Sequence, residues 1–192
     1  YLLVPADSGG LDRRPVDRLD GEPAFAELFF DQCRVHESNL LGDEGQGWNV
    51  AMATTSSERG LNLRAPGRFL AAADRLADLY RELVGDGSTD SDLVDEVVRA
   101  WAGARAYRWH TYATAARLAS GGDLGSASSM MKVFWSELDV ELHATALRLL
   151  GDRAELVAGA PAAVDGGSWM SGYLFALSGP IYAGTNEIQR NI

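Results

Sequence analysis

From Gly45 to Leu150 apolar residues return at three- and four-residue steps, and this rhythm confines most of the chain to packed helices. Phe69, Leu70, Ala73, Leu76, Ala77 and Tyr80 predict one buried stripe. Leu93, Val97, Trp101, Ala104 and Arg108 fall on neighbouring turns of a second long helix. Val94 and Val98 widen its apolar stripe, Asp92 is its expected cap, and it runs to Gly121-Gly122. A third, over 126–150, places Met130, Phe134, Leu138, Leu142 and Leu149 inward and stops at Gly151, where a glycine closes a helix at no steric cost. Before these, Trp48, Val50, Ala51 and Met52 belong to a short first helix. After them, 152–168 is rich in Gly, Ala and Pro and reads as irregular, and a last helix covers 169–176. Residues 85–91 form a polar loop. Long amphipathic helices on short connections predict a bundle.

The first 41 residues carry a different pattern. Tyr1–Pro5 is a short apolar run ended by proline, and Phe25–Val35 is aromatic and partly alternating, so both predict strands. Two or three strands do not close a core of their own. They must complete a sheet whose other strands come from elsewhere.

Charge and composition exclude several functions. The 192 residues suffice for a sizeable core, and a net charge of −10 opposes binding to phosphate backbones, so no nucleic-acid partner is expected. No apolar run approaches the ~20 residues of a membrane span, and no leader pattern opens the chain, so a soluble protein without a membrane partner is expected. Cys33 is the only cysteine, which removes internal disulfides and cysteine-based metal sites and points to a reducing cytoplasm. His36, His110 and His143 lie far apart without carboxylates at ligand spacing, so no metal is expected.

Three segments carry a family resemblance. The tail Tyr182-Ala183-Gly184-Thr185-Asn186-Glu187-Ile188-Gln189-Arg190 resembles the C-terminal flavin-contacting segment of acyl-CoA dehydrogenases, which usually reads Tyr-Glu-Gly-Thr or Gly-Gly-Thr before Ile-Gln-Arg. Phe30-Asp31-Gln32-Cys33-Arg34-Val35, continuing through Asn39-Leu40-Leu41-Gly42 to Gly47-Trp48, resembles that family's passage from its β-domain into its helical domain. Lys132-Val133-Phe134-Trp135-Ser136-Glu137 resembles its Lys-Leu-x-x-Ser-Glu bundle helix. The three occur in the family's order. The resemblance implies a mainly α chain: a C-terminal four-helix-type bundle over 45–192, preceded by strands (1–44) that complete a β-barrel-like middle domain. The family also begins with a helical domain and half a β-domain that have no counterpart here, so the chain reads as a segment of a longer polypeptide.

The resemblance also implies a chemistry. Such enzymes remove the α proton of an acyl-CoA thioester while a β hydride passes to FAD. A carboxylate takes the proton, and hydrogen bonds to the thioester oxygen stabilise the enolate. Where many members carry the catalytic Glu, this chain has Ala183, whose backbone N–H still serves as a donor to substrate. Some branches instead place the base in a Glu-Arg pair after the Gly-x-Gly-Trp segment, and Glu58-Arg59 stands there, ten residues past Trp48. Glu58 is thus the implied base, with Arg59 as a nearby cation toward substrate. Gly184, Thr185, Asn186 and Glu187 are the implied FAD contacts. A competing reading takes Thr55-Ser56-Ser57-Glu58 as a capping box, with the Glu58 carboxylate bonded back to a helix start. A second competing reading makes Gly184-Thr185 a plain turn with Ile188 in the core.

Two elements by which homotetrameric members reach a neighbour's flavin are altered here, at 85–90 and at Arg148-Leu149-Leu150-Gly151-Asp152. This resembles the α2β2 heterotetrameric branch that includes steroid-side-chain enzymes, with half as many flavins as chains. The implied partners are acyl-CoA, an electron-transfer flavoprotein as acceptor, and a homo- or heterotetrameric assembly. The alternative implied by Ala183 is a non-catalytic partner subunit.

Overall fold

The computed structural model describes residues 1–61, 65–84 and 91–192; the side chains of 55–61 and 91 lie outside the described residues. The chain divides into two compact units, Tyr1–Asn62 and Leu63–Ile192.

The first unit holds an antiparallel hairpin. β1 (Leu11–Asp17) pairs with β2 (Pro23–Phe30) from Leu11 opposite Phe30 to Asp17 opposite Pro23, with a register shift at Val16/Asp17. The turn closes through Gly21 N–H to the Arg18 carbonyl, with Gly21 at φ 80° and Arg18 bonded to Asp20. β2 ends at Phe30, five residues short of the expected strand, because Gln32 turns the backbone to φ 51°. The Tyr1–Pro5 run is not a strand but a single bridge, Leu2 to Leu40. β1 escaped the pattern reading because Leu-Asp-Arg-Arg-Pro-Val-Asp is polar and contains proline, both edge-strand features. Every residue of β2 is exposed, including Phe25, Leu28, Phe29 and Phe30. α1 (Gly47–Leu61) follows and is a helix of 15 residues rather than a short one.

In the second unit α2 (Pro66–Val84), α3 (Ser91–Ala119) and α4 (Ala127–Leu150) pack on one another, and α5 (Ser168–Ala176) and α6 (Asn186–Arg190) pack on α4. Proline opens α2, where its missing N–H is no loss. The expected α2 stripe holds: Phe69, Ala73 and Leu76 are fully buried, and Leu79 joins them. α3 begins one residue before Asp92, which therefore sits in the first turn instead of capping it, and its inward face is Val97, Ala100, Ala104 and Tyr107. Trp101 and Val98 face outward, and Trp101 instead donates to Asp74 under the Arg105 guanidinium. Trp109 is exposed as well, whereas Trp135 and Trp169 are core.

α4 departs most from its predicted face. Met130 and Phe134 are exposed, and the buried apolar row is Met131, Trp135, Leu138, Leu142 and Ala146. Beside it runs a second buried row, Lys132, Ser136, Asp139 and His143, at steps of four, three and four. A helix covered on both sides has no single apolar stripe, which is why periodicity chose the wrong turn-mates. Asp139 accepts from Arg68 of α2 at 2.6 Å, and His143 bonds the Asp139 carbonyl at 2.7 Å while its ring meets Trp169. Gly172 of α5 lies against His143, and a Cβ there would stand 2.3 Å from Nε2. Gly151 closes α4 at φ 54° as expected, and two 3-10 turns, Gly151–Glu155 and Val164–Gly167, carry the irregular stretch to α5.

Leu142 is 0% exposed at the centre of this core, so Leu142→Ala is expected to cost about 2–5 kcal/mol in denaturant unfolding. Met130→Ala, at an outward position, is expected to stay within about 0.5 kcal/mol.

Candidate active site

Glu58 and Arg59 lie in the last turns of α1, in the first unit. The capping-box reading requires a helix start at Thr55. The helix instead starts at Gly47, with Val50 N–H already bonded to the Gln46 carbonyl. Thr55 is therefore interior, and no first-turn N–H groups wait there for a Glu58 carboxylate. The side chains of Glu58 and Arg59 lie outside the described residues.

In the second unit the tail forms a tight turn. Tyr182 packs on Trp135, Ala183 and Gly184 take φ 55° and 86°, and Thr185 is the N-cap of α6, its hydroxyl accepting from Ile188 N–H. A left-handed alanine costs about 1–2 kcal/mol, so surrounding bonds must hold it. Gln189, which is buried, donates from Nε2 to the Ala183 carbonyl at 3.2 Å. Among the described residues the N–H groups of Ala183 and Gly184 make no hydrogen bond within the chain. The turn thus offers two uncommitted donors where no side chain is larger than a methyl group. The plain-turn reading is half right: the turn exists, but Ile188 is exposed and outside the core.

Asn186 behaves differently from its neighbours. It is 2% exposed, its N–H donates to the Pro180 carbonyl, and its Oδ1 accepts from Lys132 Nζ at 2.7 Å and Ser136 Oγ at 3.1 Å. Its Nδ2 donates to Glu137, which also pairs with Arg190. With its amide and N–H both spent, Asn186 holds the tail. Glu187 is exposed, and its own backbone N–H and the Thr185 hydroxyl hold its carboxyl below the usual range, assisted by Arg190 and Lys132.

The structure therefore joins two of the sequence motifs: Lys132, Ser136 and Glu137 grip the tail. None of them, nor Gln189, was singled out as a site residue. The available signal was a charged residue placed four residues before a serine in a largely apolar helix. Arg148 pairs with Glu96 of α3, and the altered element at 85–90 lies outside the described residues. Among the described residues no group of three His, Cys, Asp or Glu side chains is placed to hold a metal, and no helix is long and apolar enough to cross a membrane.

Comparison with known proteins decides the family. The family described as acyl-CoA dehydrogenase, C-terminal domain, matches residues 45–192. The chain belongs to the acyl-CoA dehydrogenase family. It is 36% identical to the acyl-CoA dehydrogenase IpdE1 of Mycobacterium tuberculosis, over 100% of this chain and 48% of that protein. The ChsE4–ChsE5 complex from Mycobacterium tuberculosis superposes with a TM-score of 0.82 at 25% identity, over 99% of this chain and 50% of that one. The steroid ACAD Tcur3481–Tcur3483 shares the fold, with a TM-score of 0.85 at 20% identity over 98% of this chain and 48% of that one. The chain spans about half the length of the curated relatives it matches.

Burial pushes the Lys132 ammonium below the usual lysine range, while Glu187 and Glu137 pull it back up. A lysine with a lowered folded pKa binds its proton more weakly in the fold than in the unfolded chain. Its charged form therefore costs stability, and that cost disappears as pH rises through the folded pKa toward 10.5. Comparing unfolding of wild type and Lys132→Met in the full-length protein, the difference is expected to shift in favour of wild type from neutral pH toward 10.5. A flat difference contradicts the lowered pKa.

Proposed function

We propose that this chain is the base-bearing part of an FAD-dependent acyl-CoA dehydrogenase. Glu58 removes the α proton of the thioester, and Arg59 orients the acyl-CoA or that carboxylate. The observation that supports this most is the continuity of α1: with Thr55 inside the helix, the capping role that competed for Glu58 falls away. Proton removal next to a thioester needs a carboxylate together with donors to the developing enolate oxygen. The uncommitted N–H of Ala183 suits that second task, because a backbone donor survives the exchange of Glu for Ala.

The residues present fit a flavin in their chemistry. The Ala183–Gly184 turn offers free amide donors with almost no side-chain bulk, and Thr185 and Glu187 are the polar groups beside it. Gly184, Thr185 and Glu187 would contact FAD, with Asn186 fixing them from behind. When bound, FAD accepts the β hydride. Residues 1–44 would complete the β-domain and 45–192 form the helical domain.

Partners follow from the same reading: an acyl-CoA substrate, an electron-transfer flavoprotein as acceptor, and an α2β2 assembly like the two-protein steroid complexes it resembles. A cytoplasmic location goes with the lone Cys33. Ala183 favours a second reading, a non-catalytic partner subunit, in which no carboxylate of this chain is essential. Purification as a homo-oligomer with one flavin per chain excludes it.

In the full-length protein with its partners, Glu58→Gln is expected to keep its flavin and lose about 10²–10⁴-fold in the rate of flavin reduction by substrate. Reduction at the wild-type rate would remove Glu58 from the mechanism.

A further inference from the structure

Of the 17 cationic side chains in the sequence one, Lys132, is a lysine, and among the described residues it is the one Lys or Arg that is buried. Elsewhere arginine serves. The difference has a physical reason at this position. The partner of Lys132 is a single amide oxygen, Asn186 Oδ1, which Ser136 also reaches. A compact ammonium suits one acceptor in a closed space, whereas the planar fork of arginine suits a two-oxygen partner. Charge is not consumed in an ion pair at 2.7 Å; it is spent on orienting a neutral side chain.

That orientation propagates to the turn. Asn186 is the first residue of α6, and its N–H holds the Pro180 carbonyl, so both flanks of the turn are tied through one residue. Gln189 then grips the Ala183 carbonyl from inside. In a trans peptide the carbonyl and the following N–H point in opposite directions, and among the described residues no peptide bond is cis. Holding the Ala183 carbonyl therefore aims the Gly184 N–H away from Gln189. Apolar packing holds only the first flank, where Tyr182 meets Trp135; on α6 Ile188 is exposed.

We propose that Lys132 and Gln189, acting through Asn186 and the Ala183 carbonyl, are positioning residues that lock the Tyr182–Thr185 turn and so set the direction of its free amide donors. The use of those donors rests on the function proposed above; the latch itself does not.

The test uses the full-length flavoprotein with Lys132→Met, Lys132→Arg and Gln189→Ala, read by amide hydrogen exchange and by steady-state kinetics. In Lys132→Met and Gln189→Ala, exchange over 182–190 is expected to rise about 10-fold or more while α2 and α3 keep their protection. Turnover is expected to fall by about 100-fold, with kcat carrying the loss and KM nearly unchanged, because misaimed donors weaken the transition state more than the ground state. Lys132→Arg is expected not to restore either readout. Asn186→Ala placed on Lys132→Met is expected to add little, since both remove the same tie. Unchanged tail exchange, or protection lost evenly through the bundle, overturns the latch, as does full rescue by arginine. Gln189→Ala carries the test alone if Lys132→Met does not fold. Normal turnover in Glu58→Gln together with a loosened tail in Lys132→Met would sink the proposed base and leave the latch standing.

Discussion

The placement of α4 between the other helices is the constraint on which the second unit depends. α2, α3, α5 and α6 all pack on it, and half of its residues are buried. A helix in that position must either be apolar all round or supply each buried polar group with a partner. This one does the second. Its apolar row of Met131, Trp135, Leu138 and Leu142 builds the core, and its polar row turns to three neighbours in succession. Lys132 and Ser136 reach the tail, Asp139 reaches Arg68 of α2, and His143 meets α5. Such bonds contribute modest net stability but are costly to leave half made. They therefore define a single arrangement of short elements that have little apolar area of their own.

How much of this was legible in the sequence follows from the same distinction. α2 has one face inward, so its stripe from Phe69 to Leu76 was readable residue by residue. The outer face of α4 itself carries large apolar residues, so Met130 and Phe134 were put inside on spacing alone. Gly151 was legible because a positive φ at a helix end selects glycine. β1 was not, because an edge strand with Arg13, Arg14 and Pro15 carries neither alternation nor aromatic content. Trp101 shows a further limit: size and apolarity say nothing of direction when a neighbour such as Arg105 covers the ring.

For the candidate site, the family motifs named the right segments but assigned roles unevenly. Asn186 stands in the flavin-contacting motif, yet its side-chain amide is turned toward α4 and its N–H is held by the Pro180 carbonyl. Lys132, Ser136 and Glu137 were recognised only as part of a likeness, and their task appears when the tail is seen to rest on them. Ala183 was read as a lost carboxylate. Its left-handed backbone adds that the position is conformationally demanding whatever side chain it carries, which is a property no single-sequence pattern reveals.

The hairpin of the first unit has a practical consequence. Four large apolar residues of β2 stand open to solvent on a two-stranded ribbon, with the Arg14 guanidinium lying over Phe29. Strands of that kind join one another through their unpaired edges. A recombinant product limited to these residues should therefore grow turbid as it is concentrated, however well its helices form. Samples intended for crystallisation or spectroscopy need whatever chain lies over Phe25 and Phe29 to be made in the same cell.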